Sequence, residues 1–325
     1  MTSLGGSSTV ENSAARIWAV VVNWNGGADD NLRCLRSLVE QGIEPARIVF
    51  VDNASEDGSR DAVHAALPGL ERVDNDANLG FGEGANQGAR RALERGADGV
   101  LFVNNDLWFP DDEPSIERLA RALAGDDRLG FVGPRVLFGD GTERVWCAGG
   151  RLDHRQNVST LLGNGAPDAA RWRTTFDVDY VAGCALLCRA EALREVGLFE
   201  ASYFAYMEDV ELGLRARRAG WAVRTVGEVR AYHAPSSATG GGYGARRKWM
   251  QGLNSVRFLR KHGGAREWAR FALFDVATLP AVAAVRALRG EGRAALAKGV
   301  GIWDGLRGRR VTAERLRPGG SWLWR

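Results

Sequence analysis

Five short stretches of this sequence gather side chains able to do polar chemistry, and one histidine stands apart from them. Asn23 and Asn25 follow an apolar run, Asp52-Asn53-Ala54-Ser55-Glu56-Asp57-Gly58-Ser59 follows a second, and Asn104-Asn105-Asp106 closes another. Between them lies Asn78-Leu79-Gly80-Phe81-Gly82, and farther on Glu208-Asp209-Val210-Glu211 and then His233. A carboxylate such as Asp209 can take the proton of a reacting hydroxyl, and a carboxylate with an imidazole can share a divalent cation. Glycines at 80 and 82 let a backbone and a ligand approach closely. Each group also has a structural use. Asp, Asn and Ser after a strand cap helices, carboxylates in a first turn complement the helix dipole, and Glu211 can pair with Arg215 one turn on.

The elements between these stretches are those of an α/β chain. From Ile17, short β-branched runs alternate with helical patterns, the signature of parallel strands joined by crossover helices. Strands are expected at Ile17–Val22, Arg47–Val51, around Val73 and at Val100–Val103. Helices are expected from about Asn31 to Gln41, with Leu32, Leu35, Leu38 and Val39 on one face, and at Gly58–Leu67, Gly84–Arg95 and Asp112–Leu123, the last with Pro114 in its first turn. The polar loops then share the C-terminal edge of an open sheet, the usual place for a ligand. After Pro134 the alternation gives way to Gly-rich, strand-rich sequence. A helix starting near Glu208 and ending at Ala219-Gly220 follows, then strands at Trp221–Val226 and Val229–Tyr232, with His233 at the end of the second.

Composition bounds the rest. The 325 residues are 45% apolar and 26% charged, which excludes a disordered or fibrous chain. The net charge of +3 hides a split: 18 basic and 5 acidic residues from Gly241 onward give +13, leaving 25 basic and 35 acidic residues, or −10, before it. Cys34, Cys147, Cys184 and Cys188 have neither disulfide-scaffold nor zinc spacing, so buried thiols are expected, with Cys184 and Cys188 on one strand face. Residues 1–15 are small and polar with no apolar core, which predicts a disordered tail rather than a signal peptide. The apolar stretch Phe271 to Val285 has 15 residues interrupted by Asp275 and Pro280, short of the ~20 needed to span a bilayer. Helices are expected at 244–262, 265–289 and 291–309. Five of the eleven tryptophans fall after residue 240, either packed inward or offered beside arginines to an interface.

Taken together, Val-Val-Asn-Trp-Asn at 21–25, Val-Asp-Asn-Ala-Ser-Glu-Asp-Gly-Ser at 51–59, Asn-Leu-Gly-Phe-Gly-Glu-Gly-Ala-Asn at 78–86, Asn-Asn-Asp at 104–106, Glu-Asp-Val-Glu at 208–211 and His233 resemble the inverting glycosyltransferases of family 2, most closely the bacterial rhamnosyltransferase-like members. The resemblance spans roughly residues 16 to 240. It implies a GT-A fold, an α/β Rossmann-like sheet with a nucleotide-sugar-binding half at 16–110 and an acceptor-binding and catalytic half at 111–240, to which the charge and helical pattern read above add a basic helical extension at 241–325. It implies that Asp52 accepts an N–H of the nucleotide base, that Asn23, Asn53, Asn78, Asn104 and Asn105 line the nucleotide pocket, and that Gly80 and Gly82 let the backbone approach the ligand. Asn104-Asn105-Asp106 stands at the family's D-x-D metal motif with its first aspartate replaced. That leaves Asp106, with His233 as a further ligand, to hold Mg²⁺ or Mn²⁺ beside the diphosphate. Asp209 corresponds to the general base.

The implied reaction moves a sugar from a nucleoside diphosphate sugar, dTDP- or UDP-linked and in the subfamily dTDP-rhamnose, to a saccharide, lipid-linked or small-molecule acceptor. A cytoplasmic protein, peripheral at the inner membrane face or self-associating through 241–325, is the expectation. Three other readings compete. Gly80-Phe81-Gly82-Glu83-Gly84-Ala85 fits a dinucleotide fingerprint, but it follows the third strand and Asn104 ends the next. The basic extension has no nucleic-acid-binding motif, so no nucleic-acid partner is expected. Asn104 permits a noncatalytic interaction protein on a degenerate transferase fold, against which Asp106, Asp209 and His233 stand.

Overall fold

The computed structural model describes residues 16–154, 157–234, 244–317 and 319–324. The expected N-terminal tail and the loop after Ala234 lie outside the described residues. β1 (Ile17–Asn23), α1 (Ala28–Glu40), β2 (Ile48–Asp52), α2 (Ser59–Ala66), β3 (Glu71–Asp74), α3 (Gly80–Glu94) and β4 (Gly99–Asn104) alternate as read from the sequence. β1 pairs in parallel with β2 and β4, and β2 with β3. The strand period of two explains why β1 is apolar throughout. Ile17, Ala19 and Val21 enter one core with Leu35 and Leu38 of α1, while Trp18 and Val20 enter the other with Ala85 and Ala89 of α3.

The second half continues the same sheet and adds a separate two-stranded one, Gly150–Leu152 with Ser159–Leu161. It runs through β5 (Leu107–Trp108), α4 (Ser115–Ala124), β6 (Leu129–Phe138), β7 (Val145–Cys147), β8 (Gly150–Leu152), β9 (Ser159–Leu161), β10 (Thr175–Asp177), β11 (Ala185–Arg189), α5 (Ala190–Val196), α6 (Glu208–Arg218) and β12 (Ala222–His233). β11 pairs antiparallel with β4 and β6, giving the order β10-β12-β6-β11-β4-β1-β2-β3. The mixed sheet thereby brings the end of β4 beside the turn that leads into β11.

Four local readings change. α3 begins at Gly80 rather than Gly84, so the glycine-rich stretch is the first turn of a helix. The two strands expected at 221–232 are one strand, β12, whose register against β6 shifts between Val226 and Arg230. Gly227 lies in that irregularity, where an added Cβ would sit 2.2 Å from the carbonyl oxygen of Trp172. Cys184 and Cys188 do not share a face. Cys184 precedes β11 in a turn closed by the Ala185 amide on the Ala182 carbonyl, so strand alternation does not reach it, and the two thiols enter opposite cores. All four cysteines are free and buried, and burial pushes Cys147 up to about 12.

The fourth change concerns the extension, which contains α7 (Ala245–His262), α8 (Ala265–Phe271), a π-helical turn (Ala272–Val276), α9 (Leu279–Ala287), α10 (Gly292–Leu306) and α11 (Ala313–Leu316). Ala265–Ala287 runs on as 23 helical residues, long and apolar enough by composition to cross a membrane, and only 11% of its apolar window is buried. The helix expected at 265–289 is thus present, but the sequence expectation counted Asp275 and Pro280 as interruptions of a 15-residue apolar stretch, too short to span a bilayer. Pro280 sits at the start of α9, where it costs no hydrogen bond. Trp249 is fully buried and its Nε1 donates to Asp304 at 2.9 Å, while Trp303 and Trp322 are exposed. Inward packing and interfacial display thus both occur, on different residues.

Candidate active site

The loops after β1, β2 and β4 meet on one buried side chain. Asn23 Nδ2 donates to Asp52 Oδ2 (2.8 Å), Ser55 Oγ (3.0 Å) and Ser59 Oγ (2.8 Å), and its Oδ1 accepts from Gly26 N, Asn31 Nδ2 and Asn105 Nδ2. With no exposure and every polar direction in use, Asn23 orients the loops rather than presenting a free group. The tightness explains Gly26, since a Cβ there would lie 1.8 Å from Asn105 Nδ2. Asp52 is equally buried. Its Oδ2 takes the Asn23 bond and its Oδ1 the Ser55 amide at 2.8 Å, leaving lone pairs on each oxygen.

Asn53 and Asn78 join this edge to α3. Asn53 Nδ2 donates to the Gly80 carbonyl at 3.0 Å and its Oδ1 accepts from Asn75, while Asn78 Oδ1 accepts the Gly80 amide at 2.8 Å. Gly80, at φ +84°, is turned against the Phe204 backbone, and a Cβ would meet the Phe204 oxygen at 2.6 Å. The Gly82 amide donates to the same oxygen at 3.2 Å. The freedom of these glycines is therefore used to seat the segment before α6 against α3.

The end of β4 carries the expected metal loop. Asp106 Oδ1 faces His233 Nε2 at 3.1 Å, and Asn104 Nδ2 lies 3.4 Å from the same ring nitrogen. Trp146, which sequence reasoning passed over, covers the imidazole at 4.4 Å between ring centres. Asp106 Oδ1 and His233 Nδ1 are buried without a hydrogen bond. One carboxylate and one imidazole suit a hard or borderline divalent cation whose remaining positions are filled by ligand oxygens and water. Among the described residues no group of three His, Cys, Asp or Glu converges to hold a metal by itself.

Asp209 lies in the first turn of α6, as read from its sequence, partly open to solvent. Its Oδ2 accepts the Gly183 amide at 2.9 Å and its Oδ1 the Val210 amide at 2.8 Å. Dense surroundings raise its carboxyl above the ordinary aspartate value, while those amides pull the other way. Glu208 is buried, and burial followed by the charge of Asp209 holds it well above the usual glutamate range. Its Oε2 has no hydrogen-bond partner. The dipeptide Gly183-Cys184 ties the two halves together. The Gly183 amide holds Asp209, and the Cys184 carbonyl accepts the Asn104 amide at 3.0 Å. Nothing in the apolar run around these residues announced that role.

Backbone strain collects at the same places. Asn25 and Ala54 have φ near +52° and +59° in the loops after β1 and β2, and Phe204, Tyr206 and Met207 lie at +66°, +68° and +79° just before α6. Non-glycine residues hold such angles only where their surroundings enforce them. Here the enforcing group is Asn254 of α7, fully buried, whose Nδ2 lies 2.9 Å from each of the Tyr203, Ala205 and Tyr206 carbonyls. An asparagine on the apolar face of a helix was the available signal for it.

The chain resembles known proteins. The pattern described as Glycosyl transferase family 2 matches residues 18–196, and Glycosyl transferase family group 2 matches 115–292. The chain is 30% identical over 229 residues to the N-acetylglucosaminyl-diphospho-decaprenol L-rhamnosyltransferase of Mycobacterium tuberculosis, covering 64% of this chain and 73% of that one. It is 23% identical over 202 residues to the low-salt glycan biosynthesis hexosyltransferase Agl10 of Haloferax volcanii, covering 61% of each. Among solved structures, GalNAc-T7 with UDP, GalNAc and Mn²⁺ superposes with TM-score 0.57 at 15% identity, over 76% of this chain but only 48% of that one. Mannosyltransferase PcManGT from Pyrobaculum calidifontis, in complex with GDP-Man and Mn²⁺, gives 0.54 at 16% identity over 90% and 87%. At such identities these two establish the GT-A fold alone. The mixed open sheet, the ordered motifs along it and the match over more than half its length make this chain a member of glycosyl transferase family 2, a hexosyltransferase resembling the rhamnosyltransferases.

Proposed function

We propose that this protein is an inverting transferase that moves a sugar, in the first instance rhamnose from dTDP-rhamnose, to a hydroxyl of a lipid-linked saccharide. The donor sugar and lipid-linked acceptor follow the mycobacterial relative's name. A dTDP or UDP base is favoured by Asp52, whose remaining lone pairs suit an imide N–H. Asp106 and His233 are the residues that would hold a divalent cation. When bound there, Mg²⁺ or Mn²⁺ supplies neutralisation of the charge that grows on the departing diphosphate.

The observation that carries the reading is the placement of Asp209. Two backbone amides fix its carboxylate, and through Gly183-Cys184 it is linked to the end of β4, beside Asp106. In this geometry Asp209 accepts the acceptor hydroxyl proton as that oxygen attacks the anomeric carbon opposite the leaving diphosphate, which inverts the centre without a covalent enzyme intermediate. A rigid carboxylate meets the positional demand of such an attack. The test is Asp209→Asn. Nucleotide binding, read as a thermal shift with dTDP and Mn²⁺, stays within a factor of two, while single-turnover transfer falls by roughly 10²–10⁴. Transfer near the wild-type rate would refute the base assignment, and a shift with GDP but not dTDP or UDP would refute the donor.

A further inference from the structure

Among the described residues, every exposed large hydrophobic side chain except Leu79 lies between residues 273 and 322. Leu273, Val276, Val285, Leu288, Leu296 and Trp303, on the run from the π turn through α10, are between 42% and 89% exposed. A monomer that leaves apolar groups of this size in water on consecutive helices has an unfilled contact.

The charge around this face is predominantly basic. Arg266, Arg289 and Arg307 are exposed along or just after the same helices. Their acidic neighbours are already engaged. Asp275 is paired with Lys298, Glu291 with Arg286 at 2.6 Å, and Asp304 with Arg309 and Arg315, while Glu267 accepts the Gly264 amide. Arg307 also lies over the Trp303 ring at 4.5 Å, a pairing of cation and amphipathic ring suited to a headgroup layer. A second copy of the chain is a poor occupant, because a two-fold contact would bring two like-charged rims together.

We propose that the exposed sides of α8, α9 and α10 dock on an anionic lipid bilayer, with the helices lying along its surface rather than crossing it. Asp275 decides between lying and crossing. It is 3% exposed, bound by Lys298 and by the Asn157 amide at 2.9 Å, and Phe271 before it is packed with Val210 and Ile302 in one core. Crossing would strip both from the body and place a carboxylate in hydrocarbon. The same core contains Met207 and Val210, which flank Asp209, so the docking face is rigidly joined to the helix that bears it. The proposal does not depend on the donor, the metal or the base assignment.

The experiment is co-sedimentation of the full chain, without donor or acceptor, with phosphatidylglycerol-containing vesicles and with pure phosphatidylcholine vesicles. Binding is expected to the former, weakening steeply with added salt, and carbonate is expected to release the chain from native membranes. Val285→Glu with Leu288→Glu lowers vesicle affinity by at least about tenfold with the far-ultraviolet dichroism unchanged. Arg266→Glu with Arg289→Glu, which leaves the apolar face intact, weakens binding to anionic vesicles by a similar factor. Absence of sedimentation with anionic vesicles, undiminished binding by both variants, or resistance to carbonate overturns the proposal. A concentration-dependent dimer that Leu288→Glu dissociates while vesicle binding persists overturns it in favour of self-association.

Discussion

Replacing Asn254 by alanine tests whether the extension sets the position of Asp209. The Asn254 amide serves three carbonyls, one buried and two part-buried, with two hydrogens. It thereby holds a loop in which Phe204, Tyr206 and Met207 all have left-handed angles. A buried hydrogen bond is worth about 1 kcal/mol net and more when its partner is left unsatisfied, so the loss sums to roughly 2–3 kcal/mol. Each non-glycine residue at such an angle costs about 1 kcal/mol or more, so once released the loop can relax by returning one of the three to ordinary angles. Met207 precedes α6 directly, and that relaxation moves Asp209. A displacement near 1 Å costs on the order of 10²-fold in rate. Urea denaturation and steady-state transfer read the two effects separately. We expect the stability loss above, a kcat reduced by tens to about a hundredfold, and a nearly unchanged KM for donor, since the loops on Asn23 are untouched. Asn254→Asp, which offers acceptors to acceptors, is expected to be worse on both measures. Wild-type kcat in a folded Asn254→Ala protein would refute the coupling.

Other consequences follow from the same contacts. Gly80→Ala combines a φ of +84° with a Cβ 2.6 Å from the Phe204 oxygen, and the expected cost of roughly 2–4 kcal/mol is read as a fall in the urea midpoint; a change below about 0.5 kcal/mol would contradict the packing. Glu208 carries a raised folded pKa, so its stabilising share is complete below the unfolded value and is lost as pH rises through the folded one. Glu208→Gln should therefore match the wild type near about pH 4 and exceed it in stability near about pH 8, and equal stability at both would remove the buried protonated carboxyl from the account. Asp106→Ala and His233→Ala should each abolish the part of a nucleotide thermal shift that requires Mn²⁺ while leaving the metal-free part, and a metal-dependent shift surviving in both would place the cation elsewhere.

The alternation of runs and helices placed β1 to β4 and α1 to α3 within a few residues, because both faces of the sheet are covered and burial leaves a continuous apolar signature. The polar loops were legible as a shared edge. What could not be read was the use made of each group on it. Asn23, expected to line the nucleotide pocket, is the hub on which the loops are hung, a use its sequence position did not announce. Gly80 and Gly82 read as room for a ligand and are occupied by the Phe204 backbone. Phe204 lies more than a hundred residues from these glycines, where no local pattern reports it. Gly183 and Cys184 sit in an apolar run whose backbone groups, not side chains, do the holding. Trp146 carries no spacing that points to His233. The helix expected at 265–289 is present, and only its apolar length was discounted, for a different reason: Asp275 looked like an interruption, whereas its charge is matched by Lys298 on α10.

The charge split along the chain acquires a physical cause at Glu211. This residue is wholly buried and accepts from Arg215 at 2.7 Å, from Lys261 at 2.9 Å and from His262 at 3.1 Å, the last two on α7. Burial alone would raise its carboxyl, but Lys261 and then Arg215 hold it below the usual range. A buried charge left with too few partners costs several kcal/mol, so the acidic half of the chain depends on basic groups supplied by the extension. Lys261 also reaches Glu200 at 3.0 Å, on the segment that packs under Gly82. The basic segment is therefore not an appendage tethered to a finished catalytic body. Part of its charge is consumed in closing the core around α6 and part in pairs within the extension, such as Lys298 with Asp275 and Arg315 with Asp304, while Arg266 and Arg289 stand exposed. Ending the chain at residue 240 would remove all of this at once, leaving Glu211 with Arg215 alone and the loop before Asp209 without Asn254, so a folded but inactive fragment is not the expected product of such a truncation; loss of cooperative unfolding is.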